Sequence, residues 1–350
     1  MRVLLLSVKT QMSYGGIATW TEYFLKACAS SSVDVDLVNT VMVGKRMEDA
    51  SAPLNVSDEY KRTKRIFGDL KRFLRLHCNE YSAAHLNTSC GVLGVFRDYL
   101  AARKIKKNNL ALITHYHCDI EDWIKNPVSK YFLKKMCHIS DRNVVLCESS
   151  KRYLKNNFGV SCIMMPNFVN DSIIRDENKN IGDEIKKVMF VGRVSRIKGA
   201  WEVYKLAERF PDITFELIGK MDADMVKEPV PSNVRVPGEM RYEELVEYLD
   251  TADVFVLPSH SEGFSLALTE AMARGIPSIV TDVGASKDML SDDCGIITAV
   301  GDIDELARAL MSIEPKEIRQ EMSRKSVEKV KNNYASGVVV KEIIEMYEQA

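Results

Sequence analysis

Nowhere in the 350 residues does an uninterrupted apolar run reach the roughly 18 to 20 positions that a membrane-spanning helix requires. The opening run at residues 3–6, continued by Val8, is far too short for a secretory leader with its cleavage site and runs into a polar glycine loop. It reads as a first buried strand. Paired cysteine motifs are missing as well: Cys28, Cys78, Cys90, Cys118, Cys137, Cys147, Cys162 and Cys294 are scattered without a C-x-x-C and fall mostly in apolar segments. That argues against structural zinc and for buried thiols in a reducing compartment, so a cytoplasmic location is expected. Low-complexity tracts and short-period repeats are absent. So is the G-x-G-x-x-G order of a dinucleotide site, which counts against a dehydrogenase.

What remains is a composition of 46% hydrophobic and 28% charged residues, ample for two globular domains. The formal net charge of -1 conceals an asymmetry: residues 1–175 hold 26 Lys and Arg against 16 Asp and Glu, residues 176–350 hold 22 against 33. A basic first half suits an anionic acceptor or membrane surface, with solvated surface charge as the plain alternative.

Short β-branched runs alternate with helical patterns throughout, the pattern of a parallel α/β architecture. Strands are expected at residues 3–7, 33–38, 83–87, 111–115, 144–147 and 162–165, and again at 188–191, 214–218, 234–236, 254–257, 278–281 and 296–299. Between the two sets, residues 170–184 include Asp171, Asp176, Glu177, Asn178, Lys179 and Asn180 and offer little to bury, which places a linker there. The expected organisation is a first Rossmann-like domain over 1–170, a second over 171–335, and a final helix over 336–350 that packs back on the first. Two such doubly wound sheets facing a cleft would present the loops that follow their strands to a ligand.

Four of those loops carry chemistry. The first ends in Ser13-Tyr14-Gly15-Gly16, where paired glycines permit close backbone approach and free helix amides, or simply make a tight turn. The fourth first-domain strand ends in His115-Tyr116-His117-Cys118-Asp119. Alternation puts both histidines on one face, with His117 the better placed for substrate; satisfied structural histidines are the plain alternative, and a metal would need further ligands. Residues 191–199 carry Arg193, Arg196 and Lys198 between Gly192 and Gly199 just before a helix, a combination suited to a diphosphate. Residues 258–277 place Glu262 before a helix that Gly263 is expected to open, and Glu270 further along it. Helical spacing would separate the two glutamates by about 12 Å along the axis, too far to share a proton. Glu262 is placed to hold a sugar beside an anion bound by the amides of Phe264, Ser265 and Leu266, and Glu270 to accept two hydroxyls of a ribose. A capping Glu262 and a solvent-facing Glu270 are the bland alternatives.

Taken together, the loop at 193–199, the E-x7-E segment and Thr281-Asp282-Val283-Gly284 strongly resemble the retaining glycosyltransferases of family 4, which have the GT-B fold. The likeness is nearly continuous over the second half and looser in the first, through Gly15-Gly16 and His117-Cys118-Asp119-Ile120. It implies that Arg193 and Lys198 bind the donor diphosphate, Glu270 the ribose, and Glu262 with the backbone of Gly263, Phe264, Ser265 and Leu266 the transferred sugar. His117 would lie beside that sugar, Gly16 near the donor phosphate or acceptor, and Gly219 and Met240 near the base. Where the family commonly has Asn-Gly-Val-Asp, this chain has Asn167-Phe168-Val169-Asn170.

The expected activity is therefore metal-independent transfer of a hexose, with retention, from a nucleotide-diphosphate sugar to a glycan or lipid-linked acceptor. Polysaccharide or glycolipid synthesis is the expected setting, with no other cofactor and no nucleic acid. A nucleotide-sugar epimerase and a non-catalytic nucleotide-sugar-binding protein are the competing readings. Residues 61–76 form a basic amphipathic stretch with Ile66, Phe67, Leu70, Phe73 and Leu74 in its apolar stripe. It either lies on an anionic membrane, making the protein peripheral, or packs on its own sheet with a charged outer face.

Overall fold

The computed structural model describes residues 1–10, 15–44, 55–177 and 179–350; Ser13, Tyr14 and Asn178 lie outside the described residues. Two compact units result, one of residues 1–167 with 336–350, the other of residues 168–335.

The first unit holds β1 (Arg2–Ser7), β2 (Asp34–Asn39), β3 (Tyr81–Thr88), β4 (Leu112–Tyr116), β5 (Arg142–Val145) and β6 (Ile163–Met164), in the order β2-β1-β3-β4-β5-β6. The second holds β7 (Lys187–Val191), β8 (Thr214–Ile218), β9 (Val234–Gly238), β10 (Val254–Leu257), β11 (Ser278–Thr281) and β12 (Gly295–Thr298), in the order β12-β11-β10-β7-β8-β9. All of these pairings are parallel. The apolar runs are continuous because helices cover both faces of each sheet: Val3 to Leu6 and Val254 to Val256 are fully buried. Each expected strand is found within two residues of its place. The fold is thus the pair of Rossmann-like sheets expected of GT-B.

The basic stretch is the helix Val56–His77, capped by Asn55 Oδ1, which accepts from Ser57 N and Asp58 N. Its stripe faces inward, with Ile66, Leu70 and Leu74 buried and Phe67 and Phe73 packed against the same core. Lys61, Lys64, Lys71, Arg72 and Arg75 are left on the outer face. No helix among the described residues is long and apolar enough to cross a membrane.

Residues 170–184 differ from the linker read in the sequence, because they lie inside the second unit. Ile173 and Ile181 are buried, Lys179 Nζ donates to Asp250 O, and Arg175 pairs with Asp250 at 3.1 Å. The polar residues are tethers for a short buried-isoleucine segment. Just before them Phe168 and Val169 are fully buried, and Val169 N donates to Tyr334 O at 2.9 Å.

The helix Ser336–Glu348 belongs to the first unit and packs against the helix Gly16–Ala29 and β3. Tyr347 Oη and His85 Nδ1 share a hydrogen bond of 2.5 Å. His85 begins a file of rings: it lies 5.5 Å from His115, which lies 4.0 Å from His117, with Trp20 5.2 to 5.6 Å from all three. Burial pulls His85 and His117 down to about 3 and holds His115 well below the usual imidazole range, with repulsion from neighbouring rings adding to it. All three are neutral at pH 7. The unfolded chain takes up protons near pH 6.5, and the folded chain only much lower, so their contribution is complete above pH 6.5 and is lost as the pH falls from there toward 3. Each ring then costs about 1.4 kcal/mol per pH unit. Urea unfolding followed at pH 7.5, 6.0 and 5.0 should show a midpoint that falls steeply over the last two; a flat profile would contradict neutral burial.

Candidate functional site

In the second sheet the chain starts in the middle, at β7, moves outward through β8 and β9, and returns to β10 on the other flank. The loops after β7 and β10 therefore leave adjacent strand ends, the place where open α/β sheets bind ligands. These are the two loops that carry Arg193, Lys198 and Glu262.

Their closeness is set by glycine. Gly199, at φ 80, has no room for a side chain, since a Cβ would lie 2.1 Å from Pro258 O. His260 N donates to Ile197 O at 2.9 Å, and His260 Nε2 meets Glu202 Oε1 at 2.7 Å, so backbone and side chains clamp the loops together. Across this join Lys198 Nζ donates to Glu262 Oε1 at 2.5 Å, and Ser259 Oγ donates to the same oxygen at 3.2 Å. Arg193 is half exposed and reaches Asp222 Oδ2 at 3.2 Å. Arg196 turns away to pair with Glu228 and to lie over Trp201.

The helix after β10 is Leu266–Ala273, so it begins three residues later than Gly263. Ser265 is its N-cap: its Oγ accepts from Leu268 N at 3.2 Å, which favours a start there. The amides of Leu266 and Ala267 head this helix, while Gly263 and Phe264 belong to the preceding turn. That turn is held by the loop after β11, where Ala285 N donates to Gly263 O at 3.0 Å. Gly284 takes φ 55, and a Cβ on it would lie 2.3 Å from Glu262 O. Glu270 is buried within the helix rather than solvent-facing.

Beyond β8, Gly219 takes φ 143 with its Cβ position 2.0 Å from Gly192 O, so backbone alone fits between these loops. Met240 is half-buried beyond β9. Gly219 N donates to Gly238 O at 2.9 Å, joining the two segments that the resemblance gives to the base.

In the first unit Gly15 caps the helix Gly16–Ala29, Thr19 N donating to Gly15 O at 3.0 Å. A Cβ on either glycine would meet nothing within 4 Å among the described residues. His117 follows β4, its backbone N–H donating to Thr88 O at 2.8 Å. Both ring nitrogens are shielded and lack a hydrogen-bond partner among the described residues. Asp119 is drawn elsewhere, accepting from Ser149 Oγ at 2.5 Å and Glu121 N at 3.0 Å, so the His-x-His-x-Asp trio does not converge. Among the described residues no group of three or more His, Cys, Asp and Glu is arranged to hold a metal ion.

The sequence singles out the charged residues but not what supports them: Ser259, the Glu202–His260 pair, Asp222 and the steric demand at Gly199 and Gly284. The glycines carried a signal, since each stands directly after or before a site loop. The partners across strands carried none.

Gly284→Ala and Gly199→Ala should each cost about 2 kcal/mol or more, because a left-handed backbone and a backbone clash coincide. Gly16→Ala should leave the melting temperature essentially unchanged. Thermal unfolding of the three variants checks this, and equal melting for all would contradict the close approach of the loops.

Two family models match end to end: Glycosyltransferase Family 4 over residues 14–172 and Glycosyl transferases group 1 over residues 171–332. A phosphatidyl-myo-inositol mannosyltransferase of Mycolicibacterium smegmatis is 28% identical over 59% of this chain and 56% of its own length. A 2-deoxystreptamine N-acetyl-D-glucosaminyltransferase of Niallia circulans is 26% identical over 65% of this chain and 66% of its own. The chain thus matches between about half and two thirds of the length of these relatives. Among solved structures, the sucrose-phosphate synthase of Thermosynechococcus elongatus superposes with a TM-score of 0.81 at 17% identity, over 99% of this chain and 98% of that one. Anabaena HepE in complex with UDP gives 0.75 at 12% identity over the whole of both chains. With the two models covering nearly all of its length, the chain belongs to the family 4, group 1 glycosyltransferases.

Proposed function

We propose that this glycosyltransferase moves a hexose, with retention of configuration and without a metal ion, from a nucleoside-diphosphate sugar to a glycan or lipid-linked acceptor in cell-surface polysaccharide or glycolipid synthesis. The observation that carries this reading is the join between the loops after β7 and β10, where Arg193, Lys198 and Glu262 stand at the switch point of the second sheet. Charge that develops on a departing diphosphate needs fixed donors. Arg193, Lys198 and the amides heading Leu266–Ala273 supply them. Lys198 is already bonded to Glu262, so a diphosphate oxygen at Lys198 would share the ammonium with a carboxylate that accepts from the sugar hydroxyls.

Glu270 is assigned to the ribose, where burial strengthens a two-point hydrogen bond, and Gly219 and Met240 to the base. His117 is assigned to the sugar; its ring has hydrogen bonds still to give and accept. The acceptor proton passes to the leaving phosphate as the new bond forms on the same face, which asks for no carboxylate nucleophile. The complexes of Anabaena HepE with UDP and UDP-glucose support a nucleotide-sugar donor here.

Replacing Arg193 and Lys198 together by Ala should lower turnover by about two orders of magnitude or more while the melting temperature stays near that of the parent. Full activity in the double variant would sink the assignment. A thermal-shift screen of UDP-, GDP- and ADP-sugars identifies the donor, since a native-state ligand raises apparent stability. Configuration is read from the anomer of the product.

Because the apolar stripe of Val56–His77 is spent on the core, membrane contact would rest on its outer cations and on Leu76, which is 60% exposed. Sedimentation with phosphatidylglycerol vesicles should then fall sharply from low to high salt. No binding at low salt removes peripheral attachment.

A further inference from the structure

The head of the helix Val92–Lys106, which follows β3, has no side-chain cap on its N-cap residue Gly91. The sheet order makes β3 the strand beside β1, so this helix head stands at the switch point of the first sheet. A Cβ on Gly91 would meet nothing within 4 Å among the described residues, and one on Gly94 would lie 3.8 Å from Arg97 Nη2, so the Arg97 guanidinium is folded back over the first turn. Arg97 is 9% exposed. Its Nε and Nη2 donate to Asp98 Oδ1, at 3.0 and 2.8 Å, and its buried Nη1 has no partner among the described residues.

A second buried guanidinium stands on the helix Val56–His77, which packs against Val92–Lys106. Arg62, also 9% exposed, donates from Nε and Nη2 to Thr40 O and from Nη1 to Glu59 Oε1 at 3.2 Å. Burial, then the charge of Arg97, pulls Arg62 down to about 10. One turn along, Arg65 Nη2 donates to Val41 O at 2.7 Å and to Asn39 O at 3.3 Å, while its buried Nε is unpartnered among the described residues. Among the described residues, three arginines stand against Glu59 and Asp98. Arg62 and Arg97 each already have one carboxylate, and an anion at the helix head would take up the donors left over, Arg97 Nη1 among them.

We infer that Arg62, Arg97 and the head of Val92–Lys106 form a binding site for a phosphoryl group carried by the acceptor. The site rests on the transferase reading for its occupant's role and on local geometry for its chemistry. Guanidinium forks match phosphate oxygens, and helix amides supply further donors. A phosphorylated soluble glycan and a phospholipid headgroup present the same chemistry.

The test titrates inorganic phosphate and sn-glycerol 3-phosphate into the full chain held at saturating nucleoside diphosphate, so that the Arg193–Lys198 loop is already filled. Binding is followed by calorimetry. The parent should bind both, and Arg97→Lys, which keeps the charge but loses the fork, should weaken glycerol 3-phosphate about tenfold or more with its nucleotide-induced thermal shift intact. Arg62→Lys is read in its place, by the same criterion, if Arg97→Lys shows no nucleotide shift. Competition between glycerol 3-phosphate and phosphatidylglycerol vesicles supports the site with a lipid source; binding of the soluble ester without vesicle binding supports it with a soluble acceptor. No binding of either probe to the parent, or equal affinity in the readable variant, overturns the inference. Slow hydrolysis of the donor sugar by the parent separates the two failures. If hydrolysis persists, the phosphoryl site alone has failed; if neither donor binding nor hydrolysis is found, the transferase reading has failed.

Discussion

The neighbouring placement of β7 and β10 is the constraint on which the donor side depends. Parallel strands sit about 4.8 Å apart, so loops leaving their carboxyl ends must either diverge at once or pack backbone on backbone. Here they pack, and the tolerance is set by the missing side chain of Gly199 against Pro258 O. Two side-chain pairs follow from that contact. Lys198 reaches Glu262 because its loop is pressed against the loop of Pro258, and His260 reaches Glu202 for the same reason. The loop after β11 then fixes the turn of Glu262 from the far side through Gly284.

Much of this was legible in the sequence, for physical reasons that differ by feature. Strands flanked on both faces by helices must be apolar throughout, so their positions stood out as short runs and each was found close to its expected place. Residues 170–184 were misread because composition reports how many polar groups a segment has, not where they end. Lys179 and Arg175 are tied to Asp250, more than sixty residues on, and no local pattern announces such a tether. The start of Leu266–Ala273 was placed early because Gly263 looks like a helix head, whereas Ser265 has the side-chain oxygen that caps one. Arg193, Lys198 and Glu262 stand out in the sequence because charge beside glycine after a buried strand is unusual, and Glu270 through its spacing from Glu262. Asp222, which pairs with Arg193, and the Glu202–His260 clamp do not stand out, because each contact is made only through the tertiary fold.

The first unit uses polarity differently. Its site-side histidine is one end of a file in which imidazoles, rather than aliphatic groups, fill the space between sheet and helices. Such a file is adjustable: each ring can act as donor or acceptor by changing tautomer without moving its atoms. The Arg62–Arg97 region has the opposite character, since guanidiniums are donors only and stay charged. Hydrogen bonding at the first is thus adjustable, and at the second it is fixed as donation.

The return of Ser336–Glu348 to the first unit also orders the making of the protein. Residues 1–167 leave the ribosome first, yet His85 waits for Tyr347, which is translated only after all of residues 168–335. The second unit is contiguous and can close as soon as it emerges. The half of the chain synthesised first is thus the last to be finished, and a nascent chain stalled anywhere in the second unit leaves a first unit with one face of its helix Gly16–Ala29 uncovered.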